Sequence, residues 1–330
     1  MKILIIRLSS IGDVVLTTPV LRCLHNQLDD VELHYLTKAQ NIPLLEHNPY
    51  IDVLHEYKPG YGCIRELQRE KFNLVIDLHN NFRSCRVCEE LHVRCYTYNK
   101  ENFHKFFYLL TGRNVMSGRH VVDRYMKPAE RLHVVNDGLG LDCFLAEADI
   151  AEARHLMDQQ VGASAYCVVV CGAQHYTKQI PTEGVNSLCA SMQIPVVLLG
   201  DTSDRQRLEH EGVRLTPKDV NLCGNTTLPV SAAIVRDAAV VITSDTGLMH
   251  IAAAFHRPVV AVWGATAPPL GFTPYCTSYV DSEVEGLRCH PCSRQGGKRC
   301  RHGHFACMMQ QNWLEVASKA QRLATDNTNK

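Results

Sequence analysis

KILIIRLSSIGDVVLTTPVLRCLHNQ, residues 2–27, is the stretch from which the fold is read. Lys2–Leu8 is an apolar, β-branched run of strand length, and Ser9–Asp13 is a turn carrying Gly12. Val14–Gln27 then spaces Val15, Leu16, Val20, Leu21 and Leu24 along one helical face. A strand that runs through a tight turn into a helix opens a βαβ unit. Val31–Leu36, Ile51–Tyr57 and Phe72–Leu78 repeat the strand signal with helical patterns between them. The pattern restarts with Tyr166–Cys171, Ile194–Gly200, Ala238–Thr243 and Pro258–Trp263. The polar stretch Glu147–Ser164 predicts a connecting helix plus linker, and Trp313–Ala324 a closing helix with a frayed end at 325–330. The expectation is an α/β chain of two doubly wound, Rossmann-like domains, 1–150 and 165–330. They would face each other across a cleft, since ligands of such sheets bind outside the carboxyl ends of the strands.

The 330 residues are 45% hydrophobic and 21% charged, which excludes disordered and collagen-like chains. Thirty-four basic residues balance 34 acidic ones, so no global field argues for a nucleic-acid partner or more than peripheral membrane contact. No apolar run approaches the ~18 residues of a spanning helix, and Arg7 cuts the N-terminal run short of the ~7–15 residues of a secretory core. A cytoplasmic protein is expected. Fifteen cysteines is an odd count that speaks against a complete disulfide framework; eleven of them, such as Cys23, Cys167, Cys171, Cys189 and Cys223, are scattered and read as reduced small hydrophobes.

Chemistry is expected in the turns. In Ser9–Asp13, Gly12 allows a close approach and Asp13 sits at the mouth of the helix, though Ser10 or Asp13 as a plain helix cap remains open. No turn carries the G-x-G-x-x-G fingerprint, which disfavours a dinucleotide cofactor and a dehydrogenase. Ser244–His250 leads into an apolar helix whose N-terminus suits a phosphate. There Thr246 offers a hydroxyl, Gly247 gives access to the backbone, and Asp245 suits a sugar hydroxyl, with an Asp cap and a satisfied His250 as the plain alternative. Lys178, after the Gly172 turn, suits a diphosphate if it is not a solvated surface lysine, and Asp204, after Gly200, suits a ribose hydroxyl pair.

Six segments carry a family resemblance: KILIIRLSSIGDVVLTTPVL (2–21), VIDLHNNFRS (75–84), HVVDRY (120–125), CGAQHYTKQIP (171–181), LLGDTSDR (198–205) and DTGLMHIAAAFHRPVVAVWGAT (245–266). In this order they resemble glycosyltransferase family 9, the ADP-heptose:lipopolysaccharide heptosyltransferases, along nearly the whole chain. The resemblance implies a GT-B fold with acceptor on the first domain and nucleotide-sugar donor on the second. It also implies an inverting, metal-independent transfer of heptose from ADP-heptose to the lipopolysaccharide inner core, with no cofactor, at the inner face of the cytoplasmic membrane. By motif match, Asp13 is the general base in the Ser10–Gly12 turn. Lys178, Asp204, Asp245, Thr246, Gly247, Leu248 and His250 hold the donor, and Arg83 and Arg124 are candidates for acceptor phosphates. Two departures, Lys178-Gln-Ile180-Pro181 for Lys-x-Trp-Pro and Gly264-Ala-Thr266 for Gly-Pro-Thr, leave another nucleotide sugar as an alternative, and a non-catalytic nucleotide-sugar binder, which would not need Asp13, is the competing reading.

Cys289, Cys292, Cys300 and Cys307 form a compact cluster whose spacing could close a tetrahedral zinc site. Reduced structural thiols, a disulfide knot or a small nucleic-acid module are the other readings. Five Lys/Arg without an acid, from Arg288 to Arg301, could instead hold a phosphorylated glycolipid.

Overall fold

A computed structural model describes residues 1–162 and 165–328. The strands are β1 (Lys2–Ile6), β2 (Glu32–Thr37), β3 (Val53–Glu56), β4 (Leu74–Asp77), β5 (Arg94–Thr97), β6 (Cys167–Val170), β7 (Val196–Leu199), β8 (Val220–Asn221), β9 (Val240–Ser244), β10 (Val259–Val262) and β11 (Tyr279–Ser282). The helices are α1 (Ile11–Val15), α2 (Thr18–Gln27), α3 (Tyr61–Arg69), α4 (Phe82–Leu91), α5 (Asn102–Thr111), α6 (Val121–Glu130), α7 (Glu147–Gln160), α8 (Thr182–Ser191), α9 (Thr202–His210), α10 (Leu228–Asp237), α11 (Gly247–Ala254), α12 (Ala306–Met309) and α13 (Trp313–Thr328).

The chain divides into two compact units, one of residues 1–100 and 119–144, the other of 101–118 and 145–328. In the first, five parallel strands run in the order β3-β2-β1-β4-β5. Ile3, Leu4, Ile5 and Ile6 are fully buried, as a central strand covered on both faces requires. In the second, six parallel strands run β11-β10-β9-β6-β7-β8. Its core joins Cys167, Val169, Leu198, Ile242 and Val260 to Trp313, Val316 and Ala320 of α13.

Strand order locates the sites. The first chain path leaves β1 toward β2 and returns on the other side at β4; the second leaves β6 toward β7 and returns at β9. Each sheet therefore has a switch point, β1/β4 and β6/β9, where neighbouring crossovers diverge and open a crevice at the carboxyl ends.

The structure departs from the sequence reading in several places. The expected helix 14–27 begins at Ile11 and breaks into α1 and α2, because Pro19 sits in the first turn of α2 and has no N–H to continue α1. Strands β5, β8 and β11 were not expected; β5 and β11 carry exposed or half-exposed residues and β8 is two residues long, so none shows an apolar run. The closing helix continues to Thr328 instead of fraying from 325. Of the expected linker and tail, Ala163, Ser164, Asn329 and Lys330 lie outside the described residues.

Candidate active site

At the first switch point, Asp13 occupies the third position of α1 and reaches back to Ser10: its Oδ2 accepts from Ser10 N at 3.2 Å and Ser10 Oγ at 2.8 Å. The capping reading is thus correct, and it is not the whole of the residue's environment. Oδ2 also meets Arg7 Nη2 at 2.7 Å, while Oδ1 receives one donor, the hydroxyl of Tyr125 on α6, at 3.0 Å. Arg7 is itself fixed, with Nε donating to Ser9 O at 2.8 Å and Nη1 to Leu78 O. Burial of the Asp13 carboxyl acts to raise its pKa. The Arg7 guanidinium, with the Ser10 donors and the Tyr125 hydroxyl, outweighs burial and holds it down at about 2. The result is a carboxylate ionised at every working pH, with one oxygen saturated and the other less encumbered.

Across the same switch point, His79 and Asn80 follow β4, and their backbone N–H groups both donate to Asp77 Oδ1 at 2.8 Å. Burial first, then the nearby Arg7 and Lys100 charges, depress the His79 pKa to about 3, so the ring is neutral. Arg83 is exposed at the start of α4, whereas Arg124 is 3% exposed within α6.

At the second switch point, Lys178, after β6, meets Asp245, after β9: Nζ lies 3.0 Å from Oδ2, with the side chains 14% and 13% exposed. Thr246 caps α11 without a side-chain bond to the helix; its Oγ1 lies 3.0 Å from Thr243 Oγ1. Gly247, Leu248 and Met249 open α11 and leave N–H groups without helical partners. His250 is buried one turn into α11.

Asp204 lies apart from that surface. It is 4% exposed, its Oδ2 accepts from Asp201 N at 2.9 Å in a reciprocal capping box, and burial raises its pKa. A Cβ on Gly172 would fall 1.9 Å from Asp204 Oδ2, so the turn after β6 closes directly over this carboxylate. Ile180, one of the two departures from the family pattern, is fully buried in the second core.

The cysteine-rich segment braces Lys178. Gly297 N donates to Thr177 Oγ1 at 2.8 Å, Thr177 N donates to Gly297 O at 3.2 Å, and Cys292 N and Ser293 N donate to Ala265 O. Gly296, at φ +92°, passes so close that a Cβ would stand 2.8 Å from His175 Cβ and 2.9 Å from Lys178 Cδ. All four thiols are free, and Cys289 Sγ lies 3.9 Å from His304 Nε2. Burial pushes the Cys307 thiol up to about 12. Among the described residues, no three His, Cys, Asp or Glu side chains are grouped so as to hold a metal ion, and no helix is long and apolar enough to cross a membrane.

Sequence reasoning missed Arg7, Tyr125, His79 and Lys100. Tyr125 stands within the quoted HVVDRY motif, His79 within VIDLHNNFRS, and Arg7 is the only charge in the run Ile3–Leu8; those were the available signals.

Known proteins share this fold. Lipopolysaccharide heptosyltransferase 3 of Escherichia coli K12 is 25% identical over 277 residues, 77% of this chain and 80% of its own. A glycosyltransferase family 9 structure from Veillonella parvula superposes with a TM-score of 0.80 at 19% identity, covering 98% of this chain and 97% of that one. The E. coli ADP-heptose lps heptosyltransferase II gives 0.77 at 19% identity over 99% and 100% of the two chains. These structures carry the same two-Rossmann GT-B fold. The family model described as glycosyltransferase family 9 (heptosyltransferase) matches residues 61–302, and the chain belongs to that family of glycosyltransferases.

Proposed function

We propose that this glycosyltransferase moves heptose from ADP-heptose to the inner core of lipopolysaccharide with inversion at the anomeric carbon. The observation that carries the reading is the placement of an Arg7-paired carboxylate with a depressed pKa, Asp13, at one switch point and a Lys178–Asp245 pair before a helix N-terminus at the other. Single displacement needs one base for the acceptor hydroxyl and charge stabilisation for the departing diphosphate. Asp13 Oδ1 takes the acceptor proton as the sugar oxygen bonds to the anomeric carbon and the C–O bond to the diphosphate breaks. Because Asp13 is a weak base at rest, proton transfer accompanies bond formation and does not precede it.

On the donor side, Lys178 Nζ and the first N–H groups of α11 receive the diphosphate charge, which on this reading needs no metal ion. Asp245, released from Lys178, turns to a heptose hydroxyl, with Thr246, Gly247 and Leu248 forming the rest of the loop. His250 and the buried Asp204 support the loop and the Gly172 turn from beneath. The acceptor lies on the first unit, and the enzyme works in the cytoplasm on a membrane-borne glycolipid.

The test is calorimetric binding of ADP-heptose, ADP and UDP to the wild type and Lys178→Ala. Loss of a charge-assisted contact worth ~1.5–3 kcal/mol predicts ADP-heptose and ADP binding about 10- to 100-fold weaker. Equal affinity in the variant refutes the donor assignment, and preference for UDP changes the substrate while keeping the fold.

A further inference from the structure

Two polar groups at the first switch point have no use in the chemistry above. One is the His79 ring. Asn81 Oδ1 accepts from Arg83 N at 2.9 Å and Ser84 N at 3.1 Å, which turns its Nδ2 donor toward His79 Nε2, 2.6 Å away. Nε2 is then the acceptor, and the ring proton resides on Nδ1. Nδ1 is buried in a residue 9% exposed and has no hydrogen-bond partner among the described residues. An orphaned buried donor costs desolvation without return, so its persistence points to a missing acceptor atom.

The other is Lys100, three residues beyond β5 and half-buried. Burial, then the Arg7 charge, lowers its pKa; Asp77 and Asp13 pull the other way, yet neither carboxylate forms an ion pair with it among the described residues. Asn80 Nδ2 donates to Tyr98 O at 3.1 Å and so ties the His79 loop to the segment carrying Lys100. Lys38, after β2, lies within electrostatic reach of His79 as well. Lys100 thus lies within electrostatic reach of Arg7, Asp13 and Asp77 at the carboxyl ends of three adjacent strands, β1, β4 and β5.

We propose that His79 Nδ1–H and the Lys100 ammonium bind an anionic oxygen, carboxylate or phosphate, of the acceptor glycolipid and so hold its hydroxyl beside Asp13. The proposal rests on the acceptor being bound by the first unit. Arg7 makes it electrostatically feasible, because it neutralises Asp13 at 2.7 Å and removes the repulsion that carboxylate would otherwise exert.

Two measurements on the full chain test it. In the first, the His79 ring signals are followed by proton–nitrogen NMR during titration with sodium phosphate or sodium acetate against sodium chloride at equal ionic strength. The Nδ1–H signal should move with phosphate or acetate, and the response should vanish in Lys100→Gln. In the second, steady-state transfer to the intact and the dephosphorylated inner-core glycolipid is compared between wild type and Lys100→Gln. The acceptor KM should rise at least tenfold with the donor KM unchanged. An effect lost on dephosphorylation assigns the anion as phosphate; one that persists assigns it as carboxylate. A His79→Gln variant serves for signal assignment, and since it can fail to fold, the half-buried Lys100 carries the test. An acceptor KM within twofold of wild type overturns the proposal, as does a His79 signal that phosphate and acetate move no more than chloride does. Should those anions move the ring while no heptose transfer occurs with any acceptor, the transferase reading falls and the anion site stands.

Discussion

Replacing Asp13 by Asn separates the structural role of this carboxylate from the catalytic role proposed for it. In stability, the depression of its pKa from 3.8 to about 2 corresponds to about 2 kcal/mol favouring the folded carboxylate. The amide also strands Arg7, whose side chain is 8% exposed, and losing one partner of a buried pair takes the cost to roughly 3–5 kcal/mol. The unfolding transition should fall by roughly 10 °C. In catalysis, an Asn cannot take the acceptor proton, and turnover should drop by ~10²–10⁴-fold. Donor affinity should stay within about twofold, since Lys178, Asp245 and α11 belong to the other unit. The assay combines chemical denaturation, calorimetry with ADP and steady-state transfer, all run well below both transitions so that the folded fraction is the same. Turnover within tenfold of wild type in a folded Asp13→Asn protein would refute Asp13 as base. A large loss of ADP affinity would refute the division of labour between the units.

Three further outcomes follow from the same geometry. The folded pKa of Asp13 lies below its unfolded value, so its stabilisation is complete above the unfolded pKa of ~3.9 and disappears as pH falls through about 2. The unfolding free-energy gap between wild type and Asp13→Asn should therefore be constant from pH 8 to 5 and shrink on acidification toward pH 2; a gap unchanged at pH 2 contradicts it. Arg7→Met removes the main opponent of burial, so Asp13 should titrate above the ordinary carboxylate range and an acid limb absent from wild type should enter the pH–rate profile. Gly296→Ala puts a Cβ 2.8 Å from His175 Cβ in a φ +92° conformation, which should displace Lys178 and weaken ADP binding about tenfold by calorimetry while leaving the first unit's stability unchanged.

The legible and illegible parts of this molecule differ in physical kind. Buried strands such as Lys2–Ile6 and Val196–Leu199 announce themselves because a parallel strand covered on both faces must be apolar throughout. Strand β5 does not, since RCYT sits at a sheet edge with its ends exposed. Asp13, Lys178 and Asp245 could be singled out as candidates because a strand-to-helix turn is a local pattern. Their partners were not: Arg7 is hidden inside a strand's run, Tyr125 is 112 residues from Asp13, and His79 reaches the site only because β4 pairs with β1. Strand order is a long-range property, and linear periodicity carries no trace of it.

The cysteine segment shows the converse. Its backbone has a structural use of its own: Gly296 and Gly297 pack on and bond the turn that carries Lys178, while Cys292 and Ser293 bond Ala265 after β10. A lysine is a flexible point charge, and it can be pre-aimed at a diphosphate only if its turn is held from outside. On the proposed reading, the 3.0 Å pair with Asp245 holds the ammonium beside the helix N-terminus until the donor's charge replaces the carboxylate. Such an exchange of one anion for another would keep Lys178 paired before and after binding, so the donor would meet an oriented cation without the desolvation penalty of a bare buried one. Asp13 follows the same logic with the sign reversed: Arg7 and Ser10 occupy Oδ2 and leave Oδ1 as the atom on which a proton can land.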